Sequence, residues 1–344
     1  MFAISKYLSF KSGHLDFRKI DIYCSKMENS RAIIKTYRIG VFPVTGFALM
    51  AYASTVEPFR AANVLSRRQL YEVINIGSTK EPIQSSGAAS VLPQTTVDHM
   101  INVDYLFIVA GGNPFQFQDT KIFAWLGRMS RFGSILGGVS AGPAILALAG
   151  LMKGRRMTVH WEHAEALSEI LPQLMIERTL YVTDRDRLTC AGGTAALDLM
   201  LDLITNHHGV QFANLVSDWF LHTEIRPAVG PQRSGIAVRV GSSNAAIISA
   251  VKLMENHIAD PCSLSELAET AGISERQVNR LFKKKLGRST MAYYRDMRLD
   301  NARNLLTNSP LPITEIALAT GFANSSHFSR LFSQHFGRSP SSFR

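Results

Sequence analysis

Two stretches decide how this chain is read: LSELAETAGISERQVNRLFKKKLGRS (264–289) and ITEIALATGFANSSHFSRLFSQHFGRS (313–339). In the first, Arg280-Leu281-Phe282 is followed after four residues by Gly287-Arg288-Ser289. Fifty positions later, Arg330-Leu331-Phe332 precedes Gly337-Arg338-Ser339 at the same spacing. The upstream segments are offset by only forty-nine, so the extra residue falls in the turn, where an insertion is cheapest. Each copy has apolar residues at helical spacing, a glycine at the turn (Gly272, Gly321) and a capping residue before the next helix (Ser274, Asn324). This is the pattern of a duplicated helix-turn-helix.

The second helices are expected to bury Val278, Leu281, Phe282 and Phe328, Leu331, Phe332. Their outward faces then carry Glu275, Arg276, Asn279 and Arg280 in one copy, and Ser325, Ser326, Ser329 and Arg330 in the other. Arginine, asparagine and serine supply the donors and acceptors that read base edges or hold phosphates. Lys283, Lys284, Lys285 and Arg288 lie where the first recognition helix ends and suit phosphate contact. Between the copies, residues 289–309 predict a helix of about nineteen residues, roughly 28 Å long. That suits two reading heads about 34 Å apart, one DNA turn. The alternative, a helical dimerisation module, explains the glycines but not the basic surface.

Charge distribution agrees with a polyanion partner. Residues 244–344 hold 13 Lys/Arg against 8 Asp/Glu, whereas 38–226 hold 15 against 16. The 344-residue chain is long enough for two cores. It has no apolar run near the roughly eighteen residues of a membrane span. Its N-terminal stretch lacks the basic cap, apolar core and small-residue cleavage site of a secretory signal, and its three cysteines (Cys24, Cys190, Cys262) show no CxxC spacing. These features predict a cytoplasmic protein with no membrane association, structural metal or cofactor.

Before the basic region the pattern changes. Apolar strands at 37–42, 71–78, 103–112 and 134–140 alternate with helical stretches at 46–64, 122–131 and 142–150. An edge-like pair (181–186, 188–191) and helices over 194–206 and 212–225 complete it. Such alternation predicts a mostly parallel α/β sheet, flavodoxin-like in its layering, with helices on both faces. The expected domains are a poorly ordered extension (1–36, with Met27 an alternative start), a sensor domain (37–226), a Pro/Gly/Ser-rich linker (227–243) and an all-helical DNA-binding domain (244–344).

Gly138-Val139-Ser140-Ala141-Gly142 fits G-x-S-x-G, with Ser140 at a sharp strand-to-helix turn. A hydrolase would need a base and an acid, for which His160 and Glu57 are the candidates. Serine has no appreciable alkoxide near neutral pH, so without that geometry the site is degenerate and catalytic residues are none. As a binding site, amides at Ser140 and Ala141 suit a carboxylate. Trp161 and Phe47 offer aromatic faces, Glu57 a negative charge, and His160 lies beside Trp161 in the chain. The competing readings are structural: Trp161 and His160 as core residues, Cys190 as a small buried side chain, Arg60 as a helix-face partner of Glu57, and Asp184–Asp186 as a hairpin turn.

Residues 252–344, ending GFANSSHFSRLFSQHFGRSPSSFR, resemble the AraC/XylS family of transcription regulators. The resemblance implies bipartite major-groove binding to double-stranded DNA, usually as a homodimer, and often activation through RNA polymerase. Glu275 departs from the basic or polar residues usual on that face, and the chain stops directly after Phe343-Arg344, so the final helix is expected to be short. The elbow with TVHWEH (158–163) and TCAGGTAALDLMLDLI (189–204) resembles the ThiJ/PfpI branch of the class I glutamine amidotransferase-like superfamily, where the elbow residue is normally cysteine. Joined, the two resemble the GlxA subfamily of AraC regulators. That resemblance implies a ligand pocket in place of an active site, with effectors that include amino acids and quaternary amines such as glycine betaine or carnitine. The strings TVEPFRAANVLS (55–66), TVHWEH (158–163) and DRDRLTCAGG (184–193) resemble the amine-sensing branch. That resemblance implies a trimethylammonium group held by the aromatic faces of Trp161 and Phe47, with Glu57 as counter-charge and His160 beside them.

Overall fold

The structure, a computed structural model, describes residues 35–99 and 101–344. The expected poorly ordered extension 1–36, with Cys24 and Met27, lies outside the described residues except for Lys35 and Thr36.

Period-two alternation builds the sensor. In the strand Tyr105–Ala110, residues Leu106, Ile108 and Ala110 point into one apolar cluster, while Tyr105, Phe107 and Val109 point into the other. A strand buried on both faces belongs at the centre of a sheet. The strands are β1 (Tyr37–Pro43), β2 (Tyr71–Gly77), β3 (Ile83–Gln84), β4 (Ser90–Val91), β5 (Thr95–Thr96), β6 (Tyr105–Ala110), β7 (Ile135–Ser140), β8 (Arg156–Met157), β9 (Met175–Ile176), β10 (Tyr181–Asp184) and β11 (Arg187–Cys190). Seven of them form one sheet in the order β10-β11-β7-β6-β1-β2-β5, parallel except for β10. β3 pairs with β4 and β8 with β9 in two small side ribbons.

Helix α1 (Leu49–Ser66) lies in the cluster on one face of the sheet. Helices α2 (Thr120–Arg131), α3 (Gly142–Leu148) and α4 (Trp161–Ile170) lie on the other. Helices α5 (Ala195–His208) and α6 (Val210–Trp219) return to the α1 side. The expected helix over 212–225 is shorter than its pattern suggests. Leu221 adopts φ +56°, and buried Asp198 pulls the chain back by accepting from Arg226 N and Nε while pairing with His222 at 2.9 Å. This clamp of three local groups leaves no periodic trace in the sequence.

The segment 227–243 is also not a loose tether. Gln232 Nε2 donates to Thr158 Oγ1, Val159 O and Thr179 O, and Leu180 N donates to Ala228 O. It then forms a turn of helix, α7 (Ile236–Arg239), before α8 (Ala245–Asn256).

The helix-turn-helix units follow as expected. α9 (Leu264–Thr270) and α10 (Glu275–Leu286) make the first, and α11 (Thr290–Asn308) is the linking helix of 19 residues. α12 (Ile313–Ala319) and α13 (Ser325–Phe336) make the second, and a 3-10 turn at Pro340–Phe343 closes the chain. Ser274 caps α10 in a reciprocal box with Gln277, and Asn324 caps α13 through His327 N. Both recognition helices end on left-handed glycines, Gly287 and Gly337 at φ +72°.

Candidate functional site

β7 delivers Ser140 to the carboxyl edge of the sheet at φ +62°, the strained left-handed conformation of an elbow. Small residues make the bend. A Cβ on Gly142 would meet Ile108 O at 2.0 Å, and one on Gly192 would meet Ser140 Cβ at 2.5 Å. The elbow is crowded: Ser140 is 7% exposed. Beneath it, the Cys190 sulfur accepts from the amides of Ser140 and Gly192, and burial pushes its thiol up to about 12. A thiol so placed is a packing group and not a nucleophile.

The expected partners do not converge. The His160 amide donates to Ser140 O at 3.2 Å, so the two residues are neighbours. Among the described residues, however, no hydrogen bond joins the imidazole to the serine hydroxyl; its Nδ1 lies 3.7 Å from Glu162 Oε2. Burial lowers the His160 pKa, which the Glu162 charge opposes. Glu57 sits on α1 with Arg60 as its ion-pair partner at 2.6 Å, the helix-face pairing expected of Arg60. Phe47 is fully buried against the Tyr52 ring. Trp161 is 39% exposed, but the Arg233 guanidinium lies 4.6 Å over its ring, so a cation of the chain itself occupies that face. Of the amides expected to bind a carboxylate, Ala141 N donates to Ala110 O at 3.3 Å and Ser140 N to the Cys190 sulfur.

The reading heads carry the expected side chains on their outer faces, but Leu281 and Leu331, expected to be buried, are half-buried, and Asn279 and Arg288 have partners within the chain. Glu275, Arg276, Arg280, Lys283 and Lys284 are exposed on α10, and Ser326 and Arg330 on α13; Ser325 and Ser329 are half-buried. Asn279 is turned inward, and its Oδ1 accepts from Thr290 N at 3.1 Å. It ties the recognition helix to α11 in place of offering that oxygen to a base. Arg288, expected at phosphates, pairs with Asp296.

Comparison with known proteins agrees with both halves. The family model described as DJ-1/PfpI matches residues 46–206, and a helix-turn-helix domain model matches 267–344. The HTH-type transcriptional regulator GlxA of Rhizobium meliloti is 41% identical over 308 residues, covering 89% of this chain and 95% of the relative. The chain belongs to the GlxA-like AraC-family regulators. HTH-type transcriptional regulator CdhR of Pseudomonas aeruginosa is 39% identical over 87% of this chain and 89% of its own. A solved ThiJ/PfpI family protein from Pseudomonas syringae superposes with a TM-score of 0.50 at 18% identity, over 69% of this chain and 90% of that one, which shows the fold alone. Membership makes this chain a DNA-binding transcription regulator. No helix among the described residues is long and apolar enough to cross a membrane.

Three features of this regulator were not read from sequence. Asp296 on the linking helix joins the two heads: it pairs with Arg288 of the first and lies 3.5 Å from His335 of the second. Arg298 donates to Thr320 O and Gly321 O and stacks on Phe322 at 4.2 Å, locking the turn of the second unit. Third, His160, Glu162 and His163 bring one ligand-type atom each within 4.8 Å of one another. The spacing H-W-E-H carried that third signal. Charge pairs across a helical joint leave none.

Proposed function

We propose that this regulator is controlled by a small metabolite, an amino acid or a quaternary amine such as glycine betaine or carnitine, bound at the carboxyl edge of a non-catalytic α/β domain. In this reading it is a cytoplasmic homodimer that activates transcription through RNA polymerase. Arg276, Arg280, Lys283, Lys284, Ser325, Ser326, Ser329 and Arg330 contact DNA, with Asn279 supporting them. Ser140, Ala141 and His160 belong to the sensing end of the sheet, while Glu57, Phe47 and Trp161 support its walls.

The observation that carries the reading is Ser140 itself. It keeps the elbow's strained backbone but lacks a hydrogen-bonded base, and the nearest thiol is buried and protonated. A hydroxyl without a base is a poor nucleophile. The second reading, a serine amidase or hydrolase, draws support from the retained φ of +62°. Two measurements on the full chain decide between them. A thermal-shift screen of amino acids and methylated amines is expected to raise the midpoint through binding linkage. Turnover of amide or ester substrates that vanishes in Ser140→Ala would establish the hydrolase instead.

A further inference from the structure

At the elbow Ser140 and Ala141 are buried, but the next gap along the sheet is open. The chain runs from β1 to β2 on one side, then crosses to β6 on the other side of β1. Strand order therefore reverses between β1 and β6, and a crevice opens beyond the carboxyl ends of strands at such a point. A cavity of about 460 Å³ lies there, walled by the loop after β1 (Val44, Thr45) and the loop after β6 (Gly112, Asn113, Phe117). Its wall residue Ala110 is the register neighbour of Ser140.

The lining has a definite charge character. Among the described residues it holds aromatic and aliphatic faces (Phe42, Phe117, Ile122), one carboxylate (Asp119), and no lysine, arginine or histidine. Asp119 Oδ1 caps α2 through the amides of Lys121 and Ile122. Nothing in the wall neutralises an anionic ligand, whereas a carboxylate beside aromatic faces attracts a cation.

One wall residue also touches the DNA-binding half. Asn113 Oδ1 accepts from Phe115 N, fixing the turn of the wall, while its Nδ2 donates to Thr307 O near the end of α11 at 3.1 Å. The same end of α11 is held by Asn304 Nδ2 on Glu162 O at 2.8 Å. Leu299, Ala302, Leu305 and Leu306 of α11, with Phe328 and Phe332 of the second recognition helix, belong to one contiguous apolar cluster with the sensor's α2, α3 and α4. The first head has a separate cluster with α8 and α9.

We infer that the β1/β6 cavity is the effector site, that it takes a small ammonium compound, and that Asn113 reports its occupancy to the linking helix and so to the second reading head. This rests on the metabolite-sensor reading and narrows it to one cavity, one ligand charge and one reporter. A ligand that reorders the Asn113 wall alters the Thr307 bond, and with it the hold on α11.

Calorimetric titration of the full chain with glycine betaine and tetramethylammonium, against succinate and citrate, tests the site. Saturable binding of the cations is expected, weakened about tenfold or more in Asp119→Asn. That variant keeps a good helix cap and loses only the charge. Unchanged affinity in it overturns the site, and binding of the anions alone overturns the ligand class. No saturable binding by any of the four removes this inference, while the thermal-shift screen judges the sensor reading by itself. Asn113→Asp tests the reporter, because it keeps the cap acceptor but cannot donate to Thr307 O. It is expected to bind cations at least as tightly as the parent, yet to lose the ligand-induced change in deuterium uptake over residues 290–308. If that change persists, Asn113 is not the reporter, and the site stands without it.

Discussion

At the scale of single residues, the elbow and its surroundings are held by fit. Gly192 sits at φ +87° with Ser140 Cβ inside the space its own side chain would need. Gly192→Ala must therefore adopt a disfavoured backbone and displace the elbow, so a loss of several kcal/mol is expected, on the order of 2–4. Thermal or denaturant unfolding measures it; a loss below about 1 kcal/mol would mean that the elbow yields easily. Cys190 makes a second prediction. With the thiol at about 12 and fully buried, native protein at pH 8 is expected to resist alkylation at Cys190 by iodoacetamide until it unfolds, as followed by peptide mass spectrometry. The sequence showed that serine had replaced the usual nucleophile. It did not show that the cysteine lies directly beneath it, because β7 and β11 are distant in sequence and meet through a parallel pairing that ends on Val139 with Cys190.

At the scale of elements, the duplicated pattern was legible because it is local. Caps, turn glycines and buried positions depend on neighbours within a few residues, so Ser274, Asn324, Gly287 and Gly337 do what their residue types suggest. The Asn279 bond to Thr290 N was not legible because that partner is eleven residues away, across a turn whose path the pattern does not fix. The two roles make opposite forecasts. Arg280→Ala and Arg330→Ala are each expected to weaken specific binding by about 1–3 kcal/mol while leaving unfolding nearly unchanged. Asn279→Ala is expected to lower the unfolding midpoint, because Thr290 N loses its partner, and to leave base preference in footprinting intact. Altered base preference in Asn279→Ala would restore it to the reading face. Ligand-site residues were least legible: Phe47, Glu57 and Trp161 carry suitable chemistry, but burial, Arg60 and Arg233 already engage them.

At the scale of the molecule, the two reading heads are unequal for a reason that sequence comparison of the copies only half revealed. The first copy is the more basic, with Arg276 and three consecutive lysines ending its helix. The structure adds that the first head has an independent core, built on Ile247, Val251, Leu267, Val278 and Phe282, while the second shares its core with the sensor. A chain cut between Gly235 and Ile236 should therefore release a fragment, 236–344, whose halves differ in order. Residues 245–294 keep their apolar partners and their caps. Leu299, Leu305 and Leu306 lose the sensor surface, and Asn304 loses its acceptor at Glu162. Hydrogen exchange on that fragment is expected to show protection of α8 to α10 close to that in the full chain, and faster exchange across the second half of α11, α12 and α13. Uniform protection across both heads would mean that the sensor merely leans on the second head and does not complete it.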